Sequence, residues 1–306
     1  MKYQWTETNI ASLAGKRAIV TGTGGLGFEI ARMLCGAGCC VILAGRNRAK
    51  GEASLAQIRK VDPNADIRFE VLDLADLASV ADFAARMVAE GSVLDLLINN
   101  AGVMAPSKRL VTTDGFELQI GTNYLGHFAL TAQVLPLLRA ANSPRVVNVS
   151  SIAHRSASIQ FDDLQSERSY KVWPSYGQSK LAMLMFGLEL QRRSDAAGWG
   201  IASSPAHPGV ARTELVANGP GEKSFLGRAM KLFNPFITHS PAAGALPIVF
   251  AAVSPDAVGG GYYGPGGIGE MTGATANAKI SKTGQDADMA ARLWDVSLEL
   301  TGVSFG

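Results

Sequence analysis

The sequence predicts an α/β fold in which a doubly wound parallel β-sheet carries helices on both faces. Short runs of β-branched and other apolar residues alternate along the chain with longer stretches whose apolar residues recur at helical spacing. Such apolar runs are typical of strands buried on both faces, and helical crossovers join these strands in parallel sheets. Glycine is abundant, with 34 residues, and aromatic residues make up only 7%. This composition favours many tight turns between strands and helices.

The first half of the chain contains five predicted strands separated by helices. Pro136 lies inside the last of these helices and predicts a kink there, since its ring and missing N–H interrupt the helical hydrogen bonds. The predicted strands are Arg17–Thr21, Cys40–Leu43, Ile67–Val71, Leu94–Ile98 and Arg145–Val149. The predicted helices are Gly27–Ala37, Lys50–Val61, Leu77–Glu90 and Phe116–Leu138.

The second half continues the alternation with longer connections. A polar segment and a loop-rich segment ending near Ser240 interrupt it, but the sequence shows no internal repeat and no hinge-like linker. We therefore expect residues 1–306 to form a single domain. The predicted elements are helices at Ser175–Ala197, Pro241–Ala252 and Ala287–Thr301, a strand at Gly200–Ala206, and a glycine-rich segment at Gly259–Tyr263.

Composition and charge exclude several classes of protein. The chain has 306 residues, of which 47% are hydrophobic and 18% charged, so it can bury a large core and is not disordered. The net charge is +2 and basic and acidic residues are interspersed, so we expect no nucleic-acid partner. The longest apolar run, residues 245–253, is too short to span a membrane, and the N-terminal segment lacks the apolar core of a signal peptide. We therefore expect a cytoplasmic protein without an integral membrane segment.

The cysteine and histidine pattern gives no sign of a disulfide framework or a metal site. The three cysteines, Cys35, Cys39 and Cys40, lie close together, and no distant cysteine is present to pair with them. We expect reduced thiols in a reducing compartment. No His, Cys and carboxylate cluster has the spacing of a metal site, so we predict none.

A glycine-rich turn follows the first predicted strand and leads directly into the first helix. Residues 21–27 read TGTGGLG, and Gly22, Gly24 and Gly27 fit the pattern G-x-G-x-x-G. The first glycine permits the tight turn, the second lets a pyrophosphate approach the backbone, and the third lets the helix pack on the strand. The helix N-terminus adds free N–H groups and a partial positive charge. These features predict a Rossmann fold that binds a dinucleotide at Gly22–Gly27, which includes Gly25 and Leu26.

The end of the second predicted strand bears on the choice of cofactor. An NAD site usually has an acidic residue about 20 residues after the first glycine, where it binds the ribose 2′-hydroxyl. This chain has Gly45 and Arg46 there, and a cation suits a 2′-phosphate. The sequence therefore favours NADP(H), with NAD(H) as the alternative. Arg46 and Arg48 also fit a solvated helix start.

Six further motifs follow in an order that resembles the short-chain dehydrogenase/reductase superfamily, over about residues 14–303. The most similar stretches, such as Ile19–Asn47 and Val149–His154, resemble the retinol-dehydrogenase-type members and related bacterial members. The six motifs are Asp73 with Leu74, Asn99-Asn100-Ala101-Gly102, Asn123, Ser150-Ser151, Tyr176-x-x-x-Lys180, and His207-Pro208-Gly209-x-x-x-Thr213.

This resemblance implies an NAD(P)-dependent oxidoreductase that acts on a carbonyl/alcohol pair. Carried over residue by residue, it makes Ser151, Tyr176 and Lys180 the catalytic residues, with Asn123 as the fourth member. The resemblance also implies which residues contact the cofactor. Asp73 and Leu74 would lie at the adenine, and Asn100, Ala101 and Gly102 along the length of the cofactor. Pro208, Gly209 and Thr213 would lie at the nicotinamide end, with Tyr176 and Lys180 also beside the cofactor.

The glycine-rich turn departs from the family's pattern. The usual turn reads TGxxxGxG, with three residues between its first two glycines, whereas only Thr23 and Gly24 separate Gly22 from Gly25 here. A shorter loop offers fewer groups to a 2′-phosphate. This affects the prediction of cofactor preference more than that of cofactor binding.

The predicted catalytic residues suit carbonyl reduction, which needs a hydride and a proton for the developing alkoxide. Tyr176 can supply the proton, and Lys180, one helical turn further on the same face, is expected to lower the pKa of Tyr176 below its usual ~10. Ser151 is expected to hydrogen-bond the substrate oxygen, and Asn123 to position a water that links Lys180 to solvent. A surface Tyr/Lys pair and a capping serine are the structural alternatives. His127 and His207 are expected to pack or cap, and His154 to have a structural or solvated role, with a substrate contact as the alternative.

Two segments are predicted to form the substrate pocket. The first, residues 152–175, makes the spacing between Ser151 and Tyr176 about twice that of many family members. It carries Phe161, Leu164, Tyr170 and Trp173. The second, residues 210–240, is rich in apolar residues and glycines and is expected to form a mobile lid. We therefore expect a medium-to-large apolar substrate, with a subunit interface or a peripheral membrane contact as alternatives for the second segment.

Two other functions remain open at this stage. One is a dinucleotide-binding redox sensor or scaffold without catalysis, and the other is an epimerase or dehydratase acting on nucleotide sugars. A homo-oligomer, either a dimer or a tetramer, is also possible, because Leu181, Leu184, Met185 and Leu188 form an apolar helix face that serves equally as interface or core.

Overall fold

A computed structural model of the chain describes residues 1–211 and 238–306. Within these residues, eight strands form one sheet in the order β3-β2-β1-β4-β5-β6-β7-β8. Strands β1 to β7 run parallel to their neighbours, and β8 is antiparallel to β7. The strands are β1 Arg17–Thr21, β2 Cys40–Gly45, β3 Ile67–Val71, β4 Leu96–Asn99, β5 Arg145–Val149, β6 Ala202–Ala206, β7 Tyr263–Pro265 and β8 Thr275–Asn277.

Helices cover both faces of this sheet, which confirms the predicted doubly wound Rossmann fold. One core packs α3, α5, α7 and α9 on the first face, and a second core packs α1, α2 and α8 on the other. The helices are α1 Leu26–Gly36, α2 Arg48–Val61, α3 Leu77–Ala89, α4 Leu118–Ile120, α5 Gly126–Gln133, α6 Leu135–Arg139, α7 Val172–Ala197, α8 Pro241–Val253 and α9 Ala287–Thr301. No helix in the described ranges is long and apolar enough to cross a membrane.

The strand order creates a switch point between β1 and β4. The chain adds β2 and β3 on one side of β1 and then returns to place β4, β5 and β6 on the other side. In the register, Val20 lies beside both Leu43 of β2 and Ile98 of β4. The loops that leave β1 and β4 therefore diverge in opposite directions, and the crevice between them at the carboxyl edge is where doubly wound folds bind ligands.

The predicted continuous helix over Phe116–Leu138 is interrupted in the structure. A π-helical turn, Gly121–Leu125, separates α4 from α5, and Val134, with φ −94° and ψ 3°, separates α5 from α6. Pro136 lies in the first turn of α6, where a missing N–H costs nothing. The prediction that Pro136 disturbs this helix is confirmed.

The sheet extends further than the sequence indicates. Strand β8 is only three residues long and has no apolar run, so it was not predicted. The N-terminal segment covers its edge, because the amide of Tyr3 donates to the carbonyl of Thr275 at 2.7 Å. Trp5 is buried and meets the ring of Phe250 edge-on at 5.5 Å.

The apolar face of α7 is part of the core. Leu181, Leu184 and Met185 are at most 1% exposed, so they are not available as an interface. Beyond them, Phe305 closes an aromatic cluster on this side of the sheet, with its ring centroid 4.3 Å from that of Trp294 and 5.0 Å from that of Phe128. The C-terminal helix α9 and the residues after it therefore complete this core.

We expect Phe305→Ala to destabilise the protein by about 3–4 kcal/mol, because a buried aromatic side chain is lost and its cluster is left with a cavity. Urea denaturation measures this change as a lower midpoint. The control Val258→Ala removes a side chain that is 63% exposed, so its midpoint should stay near that of the wild type. A Phe305→Ala midpoint equal to that of the control would contradict the packing role.

Candidate active site

The predicted site residues meet at one edge of the sheet. Each predicted motif follows the carboxyl end of a strand or borders that edge, as expected for a doubly wound fold. Thr213 lies outside the described residues. The groups at this edge are the turn Thr21–Gly27 after β1, Arg46 after β2, Asp73 and Leu74 after β3, Asn100, Ala101 and Gly102 after β4, Ser151 after β5, and Pro208 with Gly209 after β6.

Two of the four predicted catalytic residues, Asn123 and Lys180, lie against Gly102, and Tyr176 lies beside Lys180. A Cβ atom at this glycine would lie 2.9 Å from Oδ1 of Asn123 and 3.6 Å from Nζ of Lys180. The Lys180 Nζ also lies 6.0 Å from the ring centroid of Tyr176, one helical turn earlier on α7. Any side chain at position 102 would therefore displace Asn123, which explains why the loop after β4 needs glycine there.

Asn123 is held rigidly in the π-helical turn. Its side-chain Oδ1 accepts the amide of Val103 at 2.7 Å, and its Nδ2 donates to the Val103 carbonyl and to Oγ of Ser179. Asn123 is fully buried, and π-helical turns are frequent at functional sites. The side chain therefore fixes the loop after β4 against α7, and its own orientation is determined.

Ser151 combines a capping contact with a place in the site. Its Oγ accepts the amide of Ala153 at 3.2 Å and so begins the short 3-10 helix Ile152–Ser156. The same hydroxyl faces the phenol of Tyr176. The preceding Ser150 donates to the carbonyl of Lys180 at 2.7 Å. The two serines therefore tie the end of β5 to the helix that carries Tyr176 and Lys180.

Burial controls the proton affinities of Tyr176 and Lys180. Burial raises the pKa of Tyr176 to about 12, and the hydroxyl of Ser151 offsets this only in part. Burial lowers the pKa of Lys180 to about 8. The expected lowering of the Tyr176 pKa is therefore not found in the protein alone, because the Lys180 ammonium is directed to the carbonyl of Val149, at 3.0 Å. Tyr176 is therefore protonated at neutral pH.

The glycine-rich turn has the shape and the free donors that a pyrophosphate needs. Gly22 has φ +93° and Gly25 has φ +53°, which is backbone that favours glycine. A Cβ at Gly27 would lie 1.9 Å from the carbonyl oxygen of Gly22. Within the described part of the chain, the amides from Thr23 to Leu26 donate to no protein acceptor, and they lie at the N-terminus of α1. The residues present therefore fit the diphosphate of a dinucleotide.

The shortened turn packs against the end of β2. A Cβ at Gly45 would lie 2.9 Å from Cγ2 of Thr23, and the Thr23 carbonyl accepts the hydroxyl of Ser54 at 2.7 Å. The next residue, Arg46, is exposed and makes no ion pair with any described residue. Arg46 therefore follows the glycine that packs against the turn, and its guanidinium has no ion-pair partner among the described residues.

Asp73 and Leu74 form the part of the edge after β3. The Asp73 carboxylate accepts the amide of Ala75 at 3.0 Å, which closes a local turn. Leu74 is 6% exposed with its side chain in the core, and a Cβ at Gly126 would lie 2.3 Å from its carbonyl oxygen. Leu74 therefore presents only its backbone to the site.

His127 has a role at this edge that its position in the sequence did not predict. Its ring is fully buried, and burial lowers its pKa to about 3, so the ring is neutral. Nδ1 donates to the carbonyl of Asn123 at 2.8 Å, since a carbonyl can only accept, and Nε2 then accepts the Thr21 hydroxyl at 2.8 Å. The Thr21 oxygen in turn accepts the amides of Asn100 and Ala101, both at 2.9 Å. One signal was available, since His127 follows Asn123 by one helical turn.

The remaining histidines have structural contacts, as expected. His154 Nδ1 donates to the carbonyl of Ser151 at 2.6 Å, and its ring meets Tyr262 edge-on. His207 is fully buried beside Glu270. Among the described residues, no cluster of three or more His, Cys, Asp or Glu side chains has the geometry of a metal site.

The segment between Ser151 and Tyr176 has a defined structure. Leu164 lies in the core and Phe161 packs beneath the guanidinium of Arg292, at 3.9 Å. Tyr170 donates to the carbonyl of Pro106 at 2.8 Å. Trp173 differs, because it is 49% exposed while its ring lies edge-on to Tyr176, at 6.2 Å between centroids. Most of the predicted lid, residues 212–237, lies outside the described residues.

Comparison with known proteins assigns the family. The family model described as short chain dehydrogenase matches residues 16–223, and this chain belongs to that family. It is 39% identical to the polyprenol dehydrogenase of Mus musculus over 297 residues, which cover 95% of this chain and 85% of that protein. It is also 39% identical to retinol dehydrogenase 12 of Homo sapiens over 300 residues, 97% of this chain and 89% of that protein.

Solved structures agree with this assignment. An uncharacterised protein from Mycobacterium paratuberculosis is 39% identical and has a TM-score of 0.81, with 99% of each chain covered. The Pseudomonas aeruginosa protein RhlG, solved as an NADP active-site complex, is 26% identical with a TM-score of 0.64, covering 82% of this chain and 94% of that one. The present chain is thus an NAD(P)-dependent oxidoreductase that interconverts alcohols and carbonyl compounds.

The buried Lys180 should reduce stability at neutral pH. Its pKa falls from 10.5 to about 8, which corresponds to about 3 kcal/mol of destabilisation. Below pH 8 both the folded and the unfolded chain carry the proton, so the full cost applies. Between pH 8 and 10.5 the folded chain loses its proton first, and the cost declines. We expect Lys180→Met to be more stable than the wild type at pH 7, by about 1–2 kcal/mol once the hydrogen bond to Val149 is lost.

Urea denaturation at pH 7 and pH 10 tests this expectation, and the advantage of Lys180→Met should shrink at pH 10. Lys60→Met is the matched control, since Lys60 is exposed at the end of α2 and should change little at either pH. A Lys180→Met protein that is less stable than the wild type at pH 7, or an advantage that does not depend on pH, would contradict the charge cost.

Proposed function

We propose that this protein uses NADP(H) to interconvert an apolar, isoprenoid-like alcohol and its carbonyl compound, with Tyr176 as the acid/base residue. The packing of Asn123 and Lys180 against Gly102, with Tyr176 beside Lys180 on α7 and the free amides of the glycine-rich turn at the same edge, supports this proposal. The proposed reaction gives a role to each of the four predicted catalytic residues and explains the conformation of the loop after β4.

Each residue has a role that its contacts support. The nicotinamide, when bound, supplies or accepts the hydride. The protonated Tyr176 donates to the substrate oxygen during reduction, and Ser151, which faces the same phenol, hydrogen-bonds that oxygen. Lys180, held by the carbonyl of Val149, returns the proton to Tyr176 and helps to bind the cofactor. Asn123 holds the loop of Asn100–Gly102 along the cofactor.

The preference for NADP(H) over NAD(H) rests on Arg46. Its guanidinium is exposed, has no described partner and follows the glycine that packs on the turn, and no acidic residue takes that position. A 2′-phosphate at this place would gain a charge-assisted hydrogen bond. The structure of RhlG, solved with NADP, supports NADP(H) as a cofactor of this fold.

The substrate class rests on two observations. The relatives named polyprenol dehydrogenase and retinol dehydrogenase 12 have names that refer to isoprenoid alcohols. In this chain, the exposed indole of Trp173 beside Tyr176 offers an apolar face to such a chain. The two substrate-pocket segments, the organisation of residues 1–306 as one domain, the dimeric or tetrameric state and the cytoplasmic location stay predictions.

Cofactor titration and turnover test the proposal. Quenching of the four tryptophans should show tighter binding of NADPH than of NADH, and Arg46→Ala should weaken the binding of NADPH by about tenfold while leaving the binding of NADH unchanged.

Retinal or citral with NADPH should be reduced to the alcohol. Tyr176→Phe should lower kcat about 10²–10⁴-fold with NADPH affinity within threefold of the wild type. Binding of NADPH without turnover of either aldehyde would favour the alternative of a dinucleotide-binding scaffold without catalysis. A Tyr176→Phe protein with unchanged kcat would reject the acid/base role of Tyr176.

Trp173 provides a separate test of the substrate class. We expect Trp173→Ala to raise KM for retinal about tenfold, because an apolar contact worth about 1–2 kcal/mol is lost, and to leave KM for a small aldehyde unchanged. Steady-state kinetics on both aldehydes give the comparison. Val61→Ala, at an exposed position on α2, is the control. Equal changes for large and small aldehydes would mean that Trp173 does not bind the substrate chain.

A further inference from the structure

The carboxylate of Glu270 connects three segments beneath the nicotinamide side of the edge, and it belongs to none of the predicted motifs. Glu270 lies in the loop 266–273, between β7 and β8. It is 9% exposed, and each of its two carboxylate oxygens has a partner. Oε1 accepts the amide of Lys279 at 3.0 Å, while Oε2 lies 3.0 Å from Nε2 of His207 and also contacts the guanidinium of Arg155.

The contact with Glu270 determines which nitrogen of His207 carries the proton. A carboxylate can only accept, so Nε2 of His207 donates to it. In a neutral ring Nδ1 is then an acceptor, and it takes the amide of Gly209 at 3.1 Å. Burial lowers the pKa of His207, which keeps the ring neutral. The Glu270 carboxylate therefore fixes Nδ1 of His207 as the acceptor of the Gly209 amide, because the hydrogen bond made by one ring nitrogen determines the role of the other.

The backbone around this contact leaves no room for another arrangement. Gly209 has φ +67°, and a Cβ there would lie 2.3 Å from the carbonyl oxygen of Met271. A Cβ at Gly264 would lie 2.0 Å from Nε2 of His207. Glu270 itself has φ +59°, a left-handed conformation that a glutamate adopts only where its surroundings over-determine it.

The third partner links this contact to the substrate side. Arg155 lies in the 3-10 helix that Ser151 begins, and it also donates to the carbonyl of Gly269 at 3.0 Å. Its guanidinium thus holds both Glu270 and the preceding residue. Segments after β5, β6 and β7 are joined at one carboxylate, although they are far apart in sequence.

We propose that Glu270 is a positioning residue, which holds Pro208 and Gly209 through His207 in the conformation that receives the nicotinamide half of the cofactor. This inference rests on the proposed function, which places Pro208 and Gly209 beside the nicotinamide. It assigns a role to Glu270, to the tautomer of His207 and to the strained loop 266–273. The inference predicts that loss of Glu270 weakens binding of the nicotinamide half of the cofactor and leaves binding of the adenosine half unchanged.

The test compares a whole cofactor with its adenosine half. The variant Glu270→Leu removes both acceptors, and Glu270→Gln keeps one of them. Binding of NADPH and of 2′,5′-ADP, which lacks the nicotinamide, is measured by tryptophan quenching. We expect Glu270→Leu to raise Kd for NADPH at least tenfold and to lower kcat, with Kd for 2′,5′-ADP within twofold of the wild type. For Glu270→Gln, Kd for NADPH and kcat should lie between the values of the wild type and of Glu270→Leu.

A matched control separates positioning from general stability. Glu90→Leu removes another carboxylate that pairs with two arginines, Arg17 and Arg68, at the opposite edge of the sheet. It should leave both affinities unchanged. His207→Gln should reproduce the effect of Glu270→Leu on NADPH, and the double variant should be no weaker than the more affected single variant, because both act through one contact.

Several results would overturn the inference. They are an unchanged NADPH affinity in Glu270→Leu, an equal loss for NADPH and 2′,5′-ADP, or fully additive effects in the double variant. If Glu270→Leu does not fold, the Glu270→Gln comparison still decides the question. A wild-type protein that binds neither ligand would instead reject the proposed function, and AMP with NADH replaces the pair if the protein prefers NADH.

Discussion

The neutral ring of His127 is the interaction on which the cofactor edge depends. It lies between the carbonyl of Asn123 and the hydroxyl of Thr21, and that hydroxyl receives the amides of Asn100 and Ala101. The first strand, the loop after β4 and the π-helical turn are thereby joined inside the core. The Thr21 oxygen already accepts two amides, so a protonated ring would direct a third donor, Nε2–H, at an oxygen whose two lone pairs are in use. Burial prevents that protonation.

Burial also determines the proton affinities of Tyr176 and Lys180, the proposed catalytic side chains. A low-polarity environment disfavours charge on either partner, so it raises the pKa of Tyr176 and lowers that of Lys180 together. The protein thus places a protonated phenol and an ammonium with a reduced pKa one helical turn apart on α7. The folded state bears the cost of this arrangement, because Lys180 keeps its charge at neutral pH although it is buried away from water.

Local patterns predicted most of the elements well, and the failures have identifiable causes. The strands Arg17–Thr21, Ile67–Val71 and Arg145–Val149 have the predicted bounds. The first and the third are buried on both faces, whereas Ile67–Val71 is an edge strand that alternates buried apolar residues with partly exposed charged ones. The helix over Phe116–Leu138 was wrong as one element, since Val134 leaves helical geometry before Pro136 and a π-helical turn carries Asn123. Strand β8 has no apolar run, and its pairing with β7 and with the N-terminal segment forms only in the folded chain.

The sequence by itself determined the fold class, the family and the edge of the sheet on which the site lies. These follow from periodicity and from short motifs whose spacing depends on backbone geometry that is local to each strand and turn. Only the tertiary structure decided the proton affinities of Tyr176 and Lys180, the tautomers of His127 and His207, and the contact of Glu270 with Arg155. Each of these depends on burial and on partners from distant parts of the chain, and neither quantity is encoded in the spacing of residues along a sequence.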